Sequence, residues 1–359
     1  MAQLARPALT PAGGIAPVAL GASNVSMTVT KASNFPQGIW SLTHENDWFI
    51  YSDRDYTGGV RLAYTTPNAS DWSHLPASAW LGGIFDQASF IGSPGAQDAV
   101  GAYANINIYT PDVLTFSPPN PKDHPYAGWT SAGYDLIRQT AERRAIFEIN
   151  LGLVGPTSGA EQLQKSFHSL IGSTNPAGWG YQIKDEPVLQ LTYRQDWRPA
   201  MLTNLSAEVP GNFNYDVIGH VLATGGNGFD YAAAGVLARV GYHLPMDFGP
   251  ARPRLGEIDS APYQSPAAMT APDNVWAYLC LGMEGRAVAR DITVDGNTFT
   301  NNSYSQVSHA PLVGEYYGGM AVEYGCFRGT FLVLYESHTF NTQPQAGQWR
   351  GVLSLGVAF

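Results

Sequence analysis

Two short stretches of this 359-residue chain collect the side chains that could carry chemistry. The first contains Asn46, Asp47 and Thr57, whose amide, carboxylate and hydroxyl oxygens are the hard ligands that Ca²⁺ accepts. The second, residues 158–172, contains His168, and an imidazole can act as a general base. Taken by spacing alone, the first is a polar strand end and the second an ordinary histidine. Chemistry therefore requires a fold that brings the two together.

The second stretch predicts a helix over residues 158–172. Ser158 and Glu161 have the S-x-x-E spacing of a capping box, and Gly172 is a typical helix stop. An apolar stripe recurs at helical spacing beside the histidine and consists of Leu163, Phe167, Leu170 and Ile171. A helix inserted into an otherwise β-rich chain has no structural necessity, which makes it a candidate for function.

Most of the remaining chain alternates between apolar and polar residues with the period of two that a β-strand requires. In the last segment the apolar phase runs from Trp349 to Phe359, an ending that resembles those of bacterial outer-membrane proteins. The same alternation occurs in 144–154, 188–197, 235–242 and 279–290. The polar phase carries charges of both signs, which predicts a charge network facing a confined interior, formed by Arg194, Asp196, Glu284, Arg286 and Arg290.

Composition narrows the class of protein. Only 13% of the residues are charged, against about 25% in a typical globular protein, while 12% are aromatic. This combination excludes a disordered chain, and the net charge of −10 excludes a nucleic-acid binder. Val275–Met283 is the longest apolar run and is too short for a membrane-spanning helix. A soluble β-sandwich is the remaining alternative, but its water-facing strands would carry many more Lys and Glu residues.

We therefore predict an all-β protein, a transmembrane antiparallel barrel of about twelve strands over residues 36–359 with a short helix in an external loop. Residues 1–35 are interpreted as a flexible leader or signal remnant, because prolines interrupt their apolar stretch. Strand-like segments fall near 36–50, 57–66, 99–110, 126–138, 142–154, 186–198, 203–224, 229–243, 274–290, 305–325, 328–340 and 347–359.

The connections differ in length, and in such barrels short turns are expected on the periplasmic side and long loops outside. Short turns follow residues 139, 225 and 326, and long connections cover 67–98, 155–185 and 244–273. Cys280 and Cys326 lack metal-site spacing and are too few for a disulfide framework, so we expect both to be unpaired.

Several motifs, in order along the chain, resemble those of the outer-membrane lipid A 3′-O-deacylases. They run from about residue 38 to Phe359, and each is weak alone while their order is fairly specific. They are Asn46-Asp47, Asp55-Tyr56-Thr57-x-Gly59, Ile108-Tyr109-Thr110-Pro111, Pro125-Tyr126-Ala127-Gly128-Trp129, Gly155-Pro156, Gln164-x-x-x-His168, Ile171-Gly172, Gly178-Trp179, the run Glu284 to Asp291, and Asp295-Gly296-Asn297.

This resemblance implies an active site between the barrel wall and the loop helix, near the external rim. It assigns catalytic roles to Asn46, Asp47, Thr57 and His168. Ca²⁺ bound near Asp47, with Asn46 and Thr57, would stabilise the oxyanion, and His168 would remove a proton from the attacking water. The implied protein is a monomer in the bacterial outer membrane. Lipid A or lipopolysaccharide is its substrate, outer-membrane lipids surround it, and nucleic acid is not a partner.

The chain departs from the family pattern in two places. Some members carry a Lys near the position of Phe116, where Lys122 is the nearest candidate here, and a Tyr of other members aligns with Pro176. Because these positions concern the grip on the substrate, two alternatives stay open. One is an outer-membrane phospholipase acting on glycerophospholipids, and the other is a non-catalytic barrel such as a porin or adhesin.

Overall fold

A computed structural model describes residues 38–47, 54–75, 79–92, 94–205, 213–263, 275–301 and 304–359. Twelve strands form one closed antiparallel barrel in which every strand pairs with its neighbours in sequence, and β1 closes the barrel against β12. The strands are β1 Ile39–Asn46, β2 Asp55–Thr65, β3 Gln97–Thr110, β4 Ala127–Gln139, β5 Arg143–Val154, β6 Glu186–Trp197, β7 Phe213–Gly226, β8 Phe229–Tyr242, β9 Val275–Asp291, β10 Leu312–Tyr324, β11 Phe327–Ser337 and β12 Gly347–Ala358.

The predicted fold class is confirmed, and the alternation predicted from the sequence explains the two faces of the wall. In β12 the apolar phase points outward and is exposed, whereas Arg350, Val352 and Ser354 point into the lumen and are buried. β5, β6, β8 and β9 follow the same rule, with Leu151, Leu191, Val240 and Leu281 among their exposed outward residues. An apolar exterior and a polar interior are the arrangement that a barrel surrounded by lipid requires.

In the part of the chain that the structure describes, three α-helices interrupt the strands: α1 Ala79–Ala88, α2 Ala160–Ile171 and the short α3 Ile292–Asp295. Among the described residues, no helix is long and apolar enough to cross a membrane. The helix predicted over 158–172 is α2. Its predicted capping box is wrong, because the N-cap is Gly159, which makes no side-chain cap, and Ser158 lies one residue earlier with only a 3.4 Å hydrogen bond from Ala160 N–H. Gly172 ends the helix in the left-handed conformation at φ 71°, as predicted.

Two predicted strand starts are wrong. Residues 203–205 precede β7 and contact it through Asn204, whose Oδ1 accepts a hydrogen bond from Tyr215 N and whose backbone N–H donates to the Tyr215 carbonyl at 3.2 Å. Residues 304–311 precede β10, and His309 in this segment bonds Asp295 across the rim. Both segments make isolated backbone hydrogen bonds, including an antiparallel bridge between His309 and Phe340, and these do not extend into a strand ladder. The predicted leader, residues 1–35, lies outside the described residues.

The connections do not follow the predicted asymmetry. Since consecutive strands alternate in direction, successive connections alternate between the two ends of the barrel. We call the end that carries residues 38 and 359 the terminal end, and the other the distal end. The long connections 66–96 and 243–274 lie at the terminal end together with the short turns 140–142 and 325–326, while 155–185 lies at the distal end with the turn 227–228. Loop length therefore does not orient this barrel.

The two long connections at the terminal end take different courses. The described part of 243–274 enters the lumen, where its backbone carbonyls at Glu257 and Asp259 accept hydrogen bonds from Arg61 and Thr65. The connection 66–96, which contains α1, packs on the outer wall, where its Trp72 and Phe85 lie among buried residues of β3–β5. We call residues 243–263 the plug.

The plug completes the predicted lumen charge network. Arg194 pairs with Asp196 and with Glu257 of the plug, both at 2.9 Å, and Arg252 of the plug pairs with Glu284 at 2.8 Å. Arg286 bonds Glu336, so these members of the predicted network are confirmed. Arg290 differs, since its guanidinium donates to the Gly296 carbonyl and the Thr298 hydroxyl at the rim. Cys280 and Cys326 are both free thiols, as predicted.

Candidate active site

The predicted site residues come together in one cavity of about 370 Å³ at the distal end. One wall of the cavity is the outer face of β1–β3, and the other is α2. Its lining comprises His44, Asn46, Asp47, Thr57, Gly58, Gly59, Val60, Ile108, Leu163, Gln164, Phe167, His168, Ile171 and Ser173. The cavity thus lies on the lipid side of the wall, outside the lumen.

The end of β1 explains how two adjacent residues can serve one site. In a regular strand Asn46 and Asp47 would point to opposite faces. β1 ends at Asn46, and Asp47 continues only through a backbone hydrogen bond of 3.3 Å to the Thr57 carbonyl. Because the chain leaves the strand geometry here, both side chains reach the same cavity, which lies at a rim of the barrel as the family resemblance implies.

A β-bulge positions the third residue. The register between β2 and β3 shifts between Tyr56 and Gly58, so Thr57 is the extra residue. Its hydroxyl is held by the Thr110 hydroxyl of β3 at 2.6 Å. The neighbouring position 58 requires a glycine, because the Asn46 side chain lies close to it and a Cβ there would be 2.9 Å from the Asn46 side-chain nitrogen. These contacts hold the Thr57 hydroxyl against Thr110 and let the Asn46 side chain lie against Gly58.

Asp47 is buried and its carboxylate is oriented by hydrogen bonds. Its Oδ2 accepts from the Arg54 backbone N–H at 2.8 Å and from Gln348 Nε2 at 3.3 Å. The Gln348 amide also donates to the Tyr56 carbonyl at 3.0 Å, and its oxygen accepts from the Tyr56 N–H at 3.3 Å. Gln348 on β12 therefore ties Asp47 to the start of β2 across the closing seam of the barrel. No sequence motif singled out Gln348.

The helix turns its polar row toward the wall. Its buried residues are Ala160, Gln164 and His168, spaced four apart, whereas Leu170 is 82% exposed. Gln164 accepts a hydrogen bond of 2.8 Å from Trp179 Nε1, and this indole is itself buried. Leu163, Phe167 and Ile171 of the apolar stripe line the cavity. The amphipathic pattern is thus real, but the buried face is the row that contains the histidine.

The tautomer of His168 follows from its partner. Nδ1 lies 2.6 Å from the Thr174 carbonyl oxygen, and a carbonyl can only accept a hydrogen bond. Nδ1 therefore carries the proton, and in the neutral ring Nε2 keeps the lone pair that a general base needs.

The close approach of the helix to the wall requires Gly128 on β4, because a Cβ there would overlap the side chains of Ser158 and Ala160.

The sequence interpretation assigned no role to His44, which lines the same cavity. Its ring centroid lies 6.3 Å from that of Phe167. His44 stands two residues before Asn46, so strand parity places both on the outer face and could have found it. Lys122 is exposed and does not line the cavity. Within the described part of the chain, no Lys or Arg contributes to the lining.

A closed twelve-stranded barrel with an apolar exterior and a pocket of polar and apolar side chains against its outer wall defines an outer-membrane β-barrel protein. The sequence model of the family described as "Outer membrane protein LpxR" matches residues 16–359. The chain therefore belongs to the LpxR family of outer membrane proteins, as the motifs predict, and its location is the bacterial outer membrane.

The fold agrees with that of a solved structure. LpxR from Salmonella typhimurium is 17% identical, has a TM-score of 0.70, and the match covers 89% of this chain and all of that one. The β domain of the Bordetella autotransporter BrkA is 8% identical with a TM-score of 0.40, covering 90% of this chain and 99% of that one. No curated protein sequence matches this chain significantly.

Proposed function

We propose that this protein is an outer-membrane ester hydrolase that removes the 3′-linked acyl chains of lipid A. One observation carries the proposal: a general base and three oxygen donors share a cavity with an apolar stripe on the lipid side of the wall. An ester at the head of an acyl chain is the substrate that needs both environments. Membership of the LpxR family supports lipid A as that substrate.

The residues present fit the proposed calcium ion. Asp47 supplies a carboxylate oxygen, Asn46 an amide oxygen and Thr57 a hydroxyl, and these are oxygen ligands of the kind that Ca²⁺ takes. The described residues contain no group of three or more His, Cys, Asp or Glu side chains placed to hold a metal, so further ligands would be carbonyl groups or water. When bound, the ion supplies positive charge that polarises the ester carbonyl.

The chain's own groups perform the proton transfers in this proposal. His168 Nε2 takes a proton from a water molecule, whose oxygen forms a bond to the ester carbon. As the bond from that carbon to the sugar 3′-oxygen breaks, the imidazolium returns the proton to the leaving oxygen. The products are a fatty acid and a free 3′-hydroxyl. The Thr174 carbonyl stabilises the imidazolium through Nδ1–H, and Leu163, Phe167 and Ile171 hold the acyl chain.

A direct assay distinguishes the proposed lipid A hydrolase from the alternative, a phospholipase. Purified protein in detergent is given either lipid A or a diacyl phosphatidylethanolamine, with Ca²⁺, with Mg²⁺, or after EDTA treatment, and products are identified by mass spectrometry. We expect release of the 3′ chains from lipid A with Ca²⁺ only. Asp47→Asn should abolish the release, whereas Asp185→Asn, at an exposed carboxylate of the connection between β5 and β6, should not. Hydrolysis of phosphatidylethanolamine without hydrolysis of lipid A would contradict the proposal that lipid A is the substrate. Equal activity in EDTA would contradict the proposed requirement for Ca²⁺.

A further inference from the structure

A second cavity lies far from the candidate active site, on the outside of the barrel at the terminal end. It has a volume of about 490 Å³ and is open. Three elements meet there: the residue that follows the α1 segment, the turn between β4 and β5, and the chain just after β6. Its lining is Phe90, Glu142, Arg143, Gln195, Trp197, Arg198, Pro199 and Ala200. We call this cavity the terminal groove.

The groove stands at the level where the membrane meets water. Outward aromatic residues gather at the terminal ends of the strands, and they include Trp40, Trp197, Tyr215, Tyr242, Tyr324 and Phe327, all exposed. Such a girdle marks the headgroup region of the bilayer. Arg143 pairs in register with Trp197, which places the groove within this girdle.

The apolar part of the groove includes a residue in an unusual backbone conformation. Phe90 is 75% exposed and adopts φ 55°, a conformation that a bulky side chain rarely takes. The turn before it is fixed, because Tyr193 OH donates to the Ala88 carbonyl at 3.1 Å and Ser89 Oγ donates to the Asp86 carbonyl at 3.0 Å. Strain of this kind persists where the surrounding contacts enforce it, and it places the Phe90 ring at the mouth of the groove.

The polar part of the groove carries one charge of each sign. Glu142 and Arg143 are adjacent and exposed, and among the described residues neither side chain has an ion-pair partner. The other cation of the lining, Arg198, is buried and pairs with Asp216 at 2.8 Å, so it is not available to a ligand. An exposed cation and anion beside an aromatic surface complement a lipid headgroup that itself carries a phosphate and an ammonium.

We propose that the terminal groove binds one zwitterionic glycerophospholipid of the phosphatidylethanolamine type. Arg143 pairs with the phosphate, Glu142 accepts hydrogen bonds from the ammonium, and an acyl chain lies along Trp197 and Phe90. Because the groove and the candidate active site lie at opposite ends of the barrel, this lipid belongs to the leaflet opposite the substrate and is not hydrolysed. The proposal does not depend on the proposed activity.

Native mass spectrometry of the full chain in bilayer discs of defined composition tests this binding. Discs contain phosphatidylethanolamine, the anionic phosphatidylglycerol, or lipopolysaccharide as the alternative phosphate source. We expect one retained phosphatidylethanolamine and about five- to ten-fold less retained phosphatidylglycerol, since Glu142 repels a headgroup that lacks the ammonium. Arg143→Gln should abolish retention of both, and Glu142→Gln should remove the preference between them.

Lys184→Gln and Asp185→Asn change an adjacent, exposed pair at the distal end and serve as matched controls that should retain the lipid as the unmodified chain does. All four positions are exposed, and heat-modifiable gel mobility reports whether each variant is folded. Equal retention of the two phospholipids by the unmodified chain, retention unchanged by Arg143→Gln, or retention of lipopolysaccharide alone would each overturn the proposal.

Discussion

His168 and Asp47 belong to different elements, and each is oriented by a group that no sequence motif indicates. A backbone carbonyl sets the tautomer of His168, and the amide of Gln348 holds one oxygen of Asp47. In each case the orienting group acts from behind the side chain, away from the cavity. Groups that orient a base or a metal ligand are commonly worth one to two orders of magnitude in activity or metal affinity, about 10–100-fold.

Gln348 gives the sharpest prediction at this scale. Gln348→Met keeps the length of the side chain and removes every hydrogen bond to Asp47, Arg54 and Tyr56. We expect kcat to fall about 10–100-fold with KM little changed, and the Ca²⁺ concentration for half activity to rise, because Asp47 is no longer held in place. Steady-state kinetics on lipid A across a calcium titration measures both effects.

Gln139→Met is the matched control for that variant. Gln139 is also a buried, lumen-facing glutamine, and it donates to Asn68 and to the Ala261 carbonyl at the terminal end. Its loss should lower stability without changing the calcium requirement. If Gln348→Met and Gln139→Met show the same kinetics and calcium response, Gln348 is a structural residue only.

Much of the site was predictable at the level of single residues, and the remainder was not. Asn46, Asp47, Thr57 and His168 stand in motifs that resemble those of the family, and that resemblance predicted one shared site, which matches the cavity that they line. Gln348 lies about 300 residues from Asp47 and meets it only because β12 closes against β1. A contact created by closure has no local sequence signal, and its discovery requires the register of the seam.

Among the elements, α2 shows that an amphipathic pattern alone does not predict which face of a helix is buried. The sequence pattern puts an apolar stripe on one face, and the usual expectation is that this face is buried. At the lipid side of a barrel the surroundings are apolar, so the stripe can face the acyl chains while the polar row meets the wall. The helix existed where predicted, but Ser158 did not cap it, because Gly159 begins the helix with a φ of 77°.

A buried histidine in the connection between β3 and β4, residues 111–126, predicts that the free energy of unfolding depends on pH. His124 is buried between the ring of Tyr109, 5.6 Å away, and that of Phe340, and this burial lowers the pKa of His124 to about 4. In the unfolded chain the pKa is about 6.5. Between pH 6.5 and 4 the unfolded state binds the extra proton, so stability falls as the pH is lowered through this window.

Urea unfolding of the protein in detergent, followed by tryptophan fluorescence at several pH values, measures this dependence. We expect His124→Gln to be less stable at pH 7 and to lose less stability than the unmodified chain between pH 6.5 and 4. Burial also raises the pKa of the neighbouring Asp123, whose contribution has the opposite sign and persists in the variant. Parallel pH profiles for the two proteins would contradict the assignment to His124.

At the scale of the whole molecule, the barrel explains the low content of charged residues. The strand exteriors face lipid, and the ionic residues of the interior pair with one another and with the plug. The barrel class and the twelve strands were predictable, because alternation is a local property of each segment. The plug was not, because residues 243–263 carry no pattern that distinguishes a loop in solvent from a loop inside the lumen.

The filled lumen predicts the electrical behaviour of the barrel. Because the plug is bonded to lumen residues of several strands, we expect no open channel when the protein is inserted into a planar bilayer. A sixteen-stranded porin measured under the same conditions provides the positive control for insertion and conductance. Stable, voltage-independent conductance steps from the unmodified chain would favour the porin alternative and would show that the plug leaves the lumen.

The most direct test of the central proposal is the mass of lipid A extracted from cells that express the protein. With the unmodified chain, lipid A should lose its 3′-linked acyl chains. With His168→Ala it should keep them, since a lost general base typically costs about 10²–10⁴-fold in rate. His74→Ala, which changes an exposed histidine at the terminal end, should behave like the unmodified chain. Intact lipid A in cells with folded, calcium-supplied unmodified protein, or 3′ chains lost equally with His168→Ala, would contradict the proposal.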